Sequence, residues 1–231
     1  MTASVIRPGT RTYEVRVTKS AEIRSYPVTL GDRMTVLDAL FQIQAELDSS
    51  IGFRCACRVG MCGTCAMYIN RVPRLACKTR PSQLDSTRIT LAPLPNLPVI
   101  QDLVVSLQPF FEQWKRIRPA LRGSGSDQLA TLPPDPETSR KRDCITCGIC
   151  YAACGIKATH ADYLGPAAIN KAFLRIKDPR DGAHRERLQV LNDEWSGVWR
   201  CHTQFNCTVA CPKQIDLTDT IARLKRALLT S

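Results

Sequence analysis

The chain has 231 residues, with 32 Lys and Arg against 21 Asp and Glu, a formal net charge of +11. Its hydrophobic content of 44% is enough to build packed cores, which excludes a wholly disordered chain. No run reaches the roughly 18 apolar residues of a membrane span, since the most apolar stretch, residues 89–107, carries three prolines and Asp102. The first ten residues, MTASVIRPGT, contain no apolar signal core, so an exported precursor is not expected. Without export, a disulfide framework is a poor use for 12 cysteines in a reducing compartment, and metal binding is the natural alternative.

In chain order, Tyr13, Val15 and Val17 alternate with Glu14, Arg16 and Thr18, the period of a half-buried strand. A second strand over 23–29 is expected to return beside it. Thr35 opens a helix, with Asp38 three residues on as its capping-box partner and Val36, Leu37, Leu40, Ile43 and Leu47 as its apolar stripe. Residues 66–69 and 88–91 read as further strands. Beyond residue 100 the patterns are helical, over 103–117, 166–176 and 216–229. Residues 123–139, GSGSDQLATLPPDPETS, have the composition of a loop or linker. The reading is an α+β chain of two metal-binding units, 1–104 and 105–231.

The cysteines fall in three groups. Cys57-x4-Cys62-x2-Cys65, closed by Cys77, has the plant-type two-iron spacing. A [2Fe–2S] cluster needs two thiolates on each iron, so a short loop must curl round it, and Gly60 and Gly63 permit that approach. Zinc is the rival ligand, but zinc sites use separated pairs, whereas three cysteines crowd here. Cys55 is surplus and reads as a free thiol.

Cys144-x2-Cys147-x2-Cys150-x3-Cys154 is the bacterial ferredoxin run, with Gly155 where proline usually follows. The end of a second run repeats it as Cys207-x3-Cys211-Pro212, and counting back gives Gln204 and then Cys201. In two-cluster ferredoxins the fourth cysteine of each run crosses to the other cluster. Cys144, Cys147, Cys150 and Cys211 then supply four ligands for [4Fe–4S]. Cys154, Cys201 and Cys207 supply three, which suits [3Fe–4S], although the Gln204 oxygen is an alternative fourth ligand. Thiolate remains the softer partner for such a cluster.

This combination of sites resembles the iron–sulfur subunit of succinate dehydrogenase and fumarate reductase over nearly the whole chain. FRCACRVGMCGTCAMYINRVPRLAC (53–77) is similar to that family's two-iron loop, and LPNLPVIQDLVV (94–105) to its inter-domain segment. CITCGICYAAC (144–154), DYLGPAAI (162–169) and CHTQFNCTVACPK (201–213) resemble its C-terminal signature. The resemblance implies a β-grasp plant-type ferredoxin domain followed by an all-α bacterial dicluster-ferredoxin-like domain. It further implies a flavoprotein (FAD) partner, hydrophobic membrane anchors with or without haem b, and electron transfer between flavin and membrane quinone. The place would be peripheral, on the cytoplasmic face of the membrane. The Cys154-Gly155 step, with no tryptophan following, leans toward menaquinone. Lys225 matches a family lysine near the quinone, and His202 is tied to the same site by Cys201. Another flavoprotein dehydrogenase or a thiol-driven fumarate reductase, and in a different class a zinc-stabilised binding module, are the alternative settings.

The positive charge is scattered and lacks interleaved aromatics, so a nucleic-acid partner is not expected; anionic lipid or an acidic subunit accounts for it better. His160 and His184 read as structural, and Trp195 and Trp199 as packing residues. No nucleophile triad, phosphate loop or carboxylate pair is apparent, which puts substrate chemistry on another chain.

Overall fold

The computed structural model describes residues 9–20, 22–123 and 135–230. Most of the linker-like stretch (124–134) lies outside the described residues, as do the first eight positions. Chain contacts divide the protein into two units, Met1–Leu94 with Pro98–Ser106, and Pro95–Leu97 with Leu107–Ser231.

In the first unit, β1 (Thr10–Lys19) and β2 (Glu22–Gly31) form a long antiparallel ladder. Tyr13, Val15 and Val17 of one strand and Tyr26, Val28 and Leu30 of the other are buried, as the alternation requires. β3 (Ala66–Ile69), β4 (Val72–Leu75) and β5 (Arg88–Ala92) complete a mixed five-stranded sheet of order β2-β1-β5-β3-β4, in which β1 and β5 run parallel. Asn70 and Arg71, with φ of 47° and 65°, make the two-residue turn between β3 and β4. Pro73 is tolerated in β4 because that strand lies at the sheet edge.

Helix α1 (Val36–Gln42) starts at the expected reciprocal box: Thr35 Oγ1 accepts from the Asp38 N–H at 3.3 Å, and Asp38 accepts from the Thr35 N–H at 2.7 Å. Val36, Leu37, Leu40 and Ile43 are buried, but Leu47 is 49% exposed. The cause is a change of period, since α1 passes into a π-type turn over Ile43–Leu47 that rotates Leu47 off the stripe. Asp48, just beyond, accepts from Lys19 Nζ at 2.6 Å and Tyr26 Oη at 2.7 Å, fastening the turn to the sheet.

The helix expected over 103–117 starts later. Val99–Gln101 (β6) and Val104–Val105 (β7) form a small hairpin, and helix α2 covers Gln108–Arg116. Asp102, at φ 47°, makes the turn, and its carboxylate accepts from the Ser20 and Gly52 amides. β-branched Val104 and Val105 favour the strand, and Pro109 sets the helix start.

Among the described residues of the second unit the regular elements after α2 are helices: α3 (Pro136–Ser139), α4 (Ile149–Ala152), α5 (Gly155–Thr159), α6 (Pro166–Ile176), α7 (His184–Leu191), α8 (Asn206–Ala210) and α9 (Leu217–Leu229). Pro166 stands in the first turn of α6, and Asp216 caps α9 by accepting from the Asp219 N–H. Ile169 and Phe173 of α6 meet Ile221 and Leu224 of α9 in a core shared with Ile156, Tyr163, Leu164 and Leu191. The irregular stretch after α2 is held by Arg187, 1% exposed, which pairs with Asp181 at 2.6 Å and donates to the carbonyls of Arg118 and Ala120.

Candidate metal centres

In the first unit the chain between α1 and β3 curls through positive φ at Arg58, Gly60 and Gly63. That curl turns amides inward. Cys57 Sγ accepts from the N–H groups of Met61 at 3.2 Å and Cys62 at 3.3 Å. The Val59 amide first, then those of Cys62 and Met61, lower the Cys57 thiol to about 6. The thiols pair by neighbourhood, Cys57 with Cys62 and Cys65 with Cys77. The first pair stands toward solvent, whereas the second is buried, and burial pushes Cys65 up to about 12. Two neighbouring pairs of thiols suit a cluster that takes two thiolates on each iron. Cys55 is half-buried.

The second unit brings the other seven cysteines to two cavities. One is lined by Cys144, Cys147, Cys150 and Cys211 together with Ile145, Pro212 and Leu217. The other is lined by Cys154, Cys201 and Cys207 with Tyr163, His202 and Gln204. Each run thus sends its last cysteine to the cavity of the other. No three His, Cys, Asp or Glu side chains among the described residues close on a single-ion point; the thiols rim wider spaces.

The two runs also repeat each other in backbone conformation. Thr146 and Thr203, each two residues after the opening cysteine, have φ of 52° and 56°. Gly148 and Phe205, each two residues further, have φ of 78° and 60°, and the short helices α4 and α8 follow. Gln204 therefore occupies the place in its run that Cys147 occupies in the other. Its side chain lies against Gly155: a Cβ there would come within 2.7 Å of Gln204 Oε1, so glycine supplies the room.

Burial dominates the thiols here. It raises Cys147 to about 12 and Cys207 to about 11, drives Cys150 well above the ordinary thiol range, and raises Cys144 and Cys154. Such thiols ionise readily only when metal charge replaces the lost hydration. A second sign that the three-cysteine cavity suits a sulfur-rich group is Tyr163, whose Oη is buried without a hydrogen-bond partner.

Lys225 of α9, half-buried, donates from Nζ to the Cys201 carbonyl at 2.8 Å, a link across 24 positions that no local pattern shows. His202 is exposed on the rim. His160 meets Thr159, and His184 meets the Asp178 carbonyl, neither at a cysteine site. Trp199 packs on the core and donates to Asn192. Trp195 corrects expectation: it is 68% exposed, its ring under the Arg200 guanidinium, because the chain turns at Asp193 and carries it outward.

Residues 10–112 match the family model of the 2Fe-2S iron-sulfur cluster binding domain, and 141–215 that of the 4Fe-4S dicluster domain. The chain is 38% identical over 212 residues to the mitochondrial succinate dehydrogenase [ubiquinone] iron-sulfur subunit 2 of Oryza sativa subsp. japonica, covering 88% of this chain and 68% of that one. It is 34% identical over 220 residues to the fumarate reductase iron-sulfur subunit of Haemophilus influenzae, covering 88% and 85%. A chain of the Mycobacterium smegmatis Sdh1 complex in the apo form superposes with a TM-score of 0.86 at 27% identity, over 96% of this chain and 97% of that one. With two cluster-binding domains in this order and these relatives along most of its length, the chain belongs to the iron–sulfur subunits of succinate dehydrogenase and fumarate reductase.

Proposed function

We propose that this subunit carries electrons between the FAD of a flavoprotein partner, where succinate and fumarate interconvert, and a membrane quinone. The centres, when bound, supply one-electron redox steps: [2Fe–2S] on Cys57, Cys62, Cys65 and Cys77; [4Fe–4S] on Cys144, Cys147, Cys150 and Cys211; [3Fe–4S] on Cys154, Cys201 and Cys207. The observation that carries the three-iron reading is the repeated backbone of the two runs, with Gln204 where its counterpart has Cys147. The sheet order with α1 laid against it supports a β-grasp fold for the first unit, and the helical second unit supports the dicluster-ferredoxin type.

The chain's residues divide the work. Inward amides of the first loop hold the Cys57 thiolate, and in the second unit burial keeps water from Cys150 and Cys207. Lys225 braces the loop at Cys201 and leaves a cation near the third site, where quinone reduction builds negative charge. His202, exposed on the rim of the same cavity, offers an imidazole that can hydrogen-bond a quinone oxygen. Phe205 and Val209, 54% and 84% exposed, supply an apolar rim that suits a membrane-anchor subunit. No helix among the described residues is long and apolar enough to cross a membrane. The face is proposed to be cytoplasmic, and the quinone menaquinone, on the Cys154-Gly155 resemblance.

The test is Lys225→Leu and His202→Ala in the assembled complex, each assayed with an artificial dye acceptor and with quinone. Dye-coupled succinate oxidation is expected to survive, while quinone-coupled turnover falls about tenfold, equivalent to about 1.4 kcal/mol of barrier. Equal loss in both assays contradicts the quinone role.

A further inference from the structure

Tyr163 is 1% exposed and stands at the edge of the second unit's core, yet its hydroxyl has no hydrogen-bond partner. An unpaired buried hydroxyl forfeits the hydrogen bonds it had with water, and phenylalanine would pack the same space without that cost. The ring has little freedom to seek water. Its carbonyl accepts from Lys157 Nζ at 2.8 Å, its N–H donates to His160 O at 3.3 Å, and the next residue, Leu164, donates to Ser196 O at 2.8 Å.

The residue lines the cavity of Cys154, Cys201 and Cys207, and the Cys201 thiol is near enough to act on its hydroxyl. Thr218, another polar residue of that lining, is engaged, its Oγ1 meeting Thr208 Oγ1 at 2.9 Å. Among the described residues, the lining of the four-cysteine cavity contains no such unpartnered buried side-chain atom. The donor therefore belongs to one site and not to its twin.

We infer that the Tyr163 hydroxyl donates a hydrogen bond to sulfur of the third cluster, a sulfide or the Cys201 thiolate, and thereby raises the potential of that centre alone. The inference rests on the three-iron reading above. Donation to sulfur withdraws negative charge and favours the electron-rich reduced form, one of the protein's levers on cluster potential. Tyr163 acts here as a positioning and tuning residue, with no contact to substrate required.

The experiment is a redox titration of the assembled complex followed by electron paramagnetic resonance, comparing the unsubstituted protein with Tyr163→Phe. The oxidised three-iron signal should keep its form, while the oxidised-to-reduced ratio at a fixed ambient potential rises about tenfold. For a one-electron couple that is a lowering of about 59 mV. The four-iron centre should titrate unchanged. Replacing Tyr163 with a fluorinated tyrosine, a stronger donor of nearly the same shape, should shift the ratio the opposite way and serves if the phenylalanine variant fails to assemble. Absence of a three-iron signal in the unsubstituted complex contradicts the cluster reading. Its presence, with a ratio that neither substitution moves, overturns the role of Tyr163.

Discussion

The two units present thiols to metal by opposite means. In the first, a loop near the surface turns its own amides onto Cys57, which ionises near pH 6 without any metal. In the second, thiols such as Cys147, Cys150 and Cys207 sit in cavities where burial drives their ionisation far above neutrality. The difference teaches where each centre's stability originates. A loop laid against a complete five-stranded sheet has a core of its own. A unit of short helices around two cavities depends more heavily on what fills them.

Removing one thiol from each region gives the largest expected contrast. Cys62→Ser, at an exposed position, should cost about two irons of the roughly nine that the three cluster types imply, leaving the sheet folded. Cys150→Ser, in buried α4, should cost about seven and open the second unit to proteolysis. Iron analysis with limited digestion checks both, and similar damage from the two variants would break the contrast.

The chemical contrast is smaller and is read in the iron-free chain by alkylation and mass spectrometry. Because the Cys57 thiol is lowered to about 6, its thiolate is present above that value and lost as pH falls through it. Its alkylation should be flat above pH 7 and drop about tenfold per unit below 6. Cys147 and Cys207, raised to about 12 and 11, should remain nearly unreactive at pH 7, with rates still rising at pH 9. Parallel profiles would show that the amide-lined loop does not form without its cluster.

Much of this was legible in the residue order, and for a reason. Iron–sulfur clusters are mostly held by cysteines at recurring spacings, so the eleven candidate ligands and the proposed crossing of Cys154 and Cys211 could be read before any fold was known. The strands at Tyr13–Val17 and the capped helix at Thr35 were legible because alternation and capping are local. β4 was missed: Pro73 argues against a strand until its edge position is seen, and Asn70-Arg71 lacks the glycine that marks such turns. The start of α2 was misplaced because β-branched residues ahead of Pro109 carry an apolar pattern that fits either element. Tyr163 offered no signal, since a core tyrosine and one whose hydroxyl faces a cluster cavity look alike in sequence. The Lys225 contact is with a carbonyl, which every residue possesses.

The proposed three-iron character of the third centre rests on Gln204, which stands where Cys147 stands in the twin run. Its most direct test is Mössbauer and paramagnetic resonance spectroscopy of the complex before and after Gln204→Cys, with iron and sulfide counted per chain. About nine irons and about ten sulfides are expected at first, with one centre of three-iron type. In the variant, that centre's oxidised signal should give way to a second four-iron centre, with about ten irons per chain. A four-iron third centre in the unsubstituted protein, or a three-iron centre untouched by the new thiolate, would contradict it.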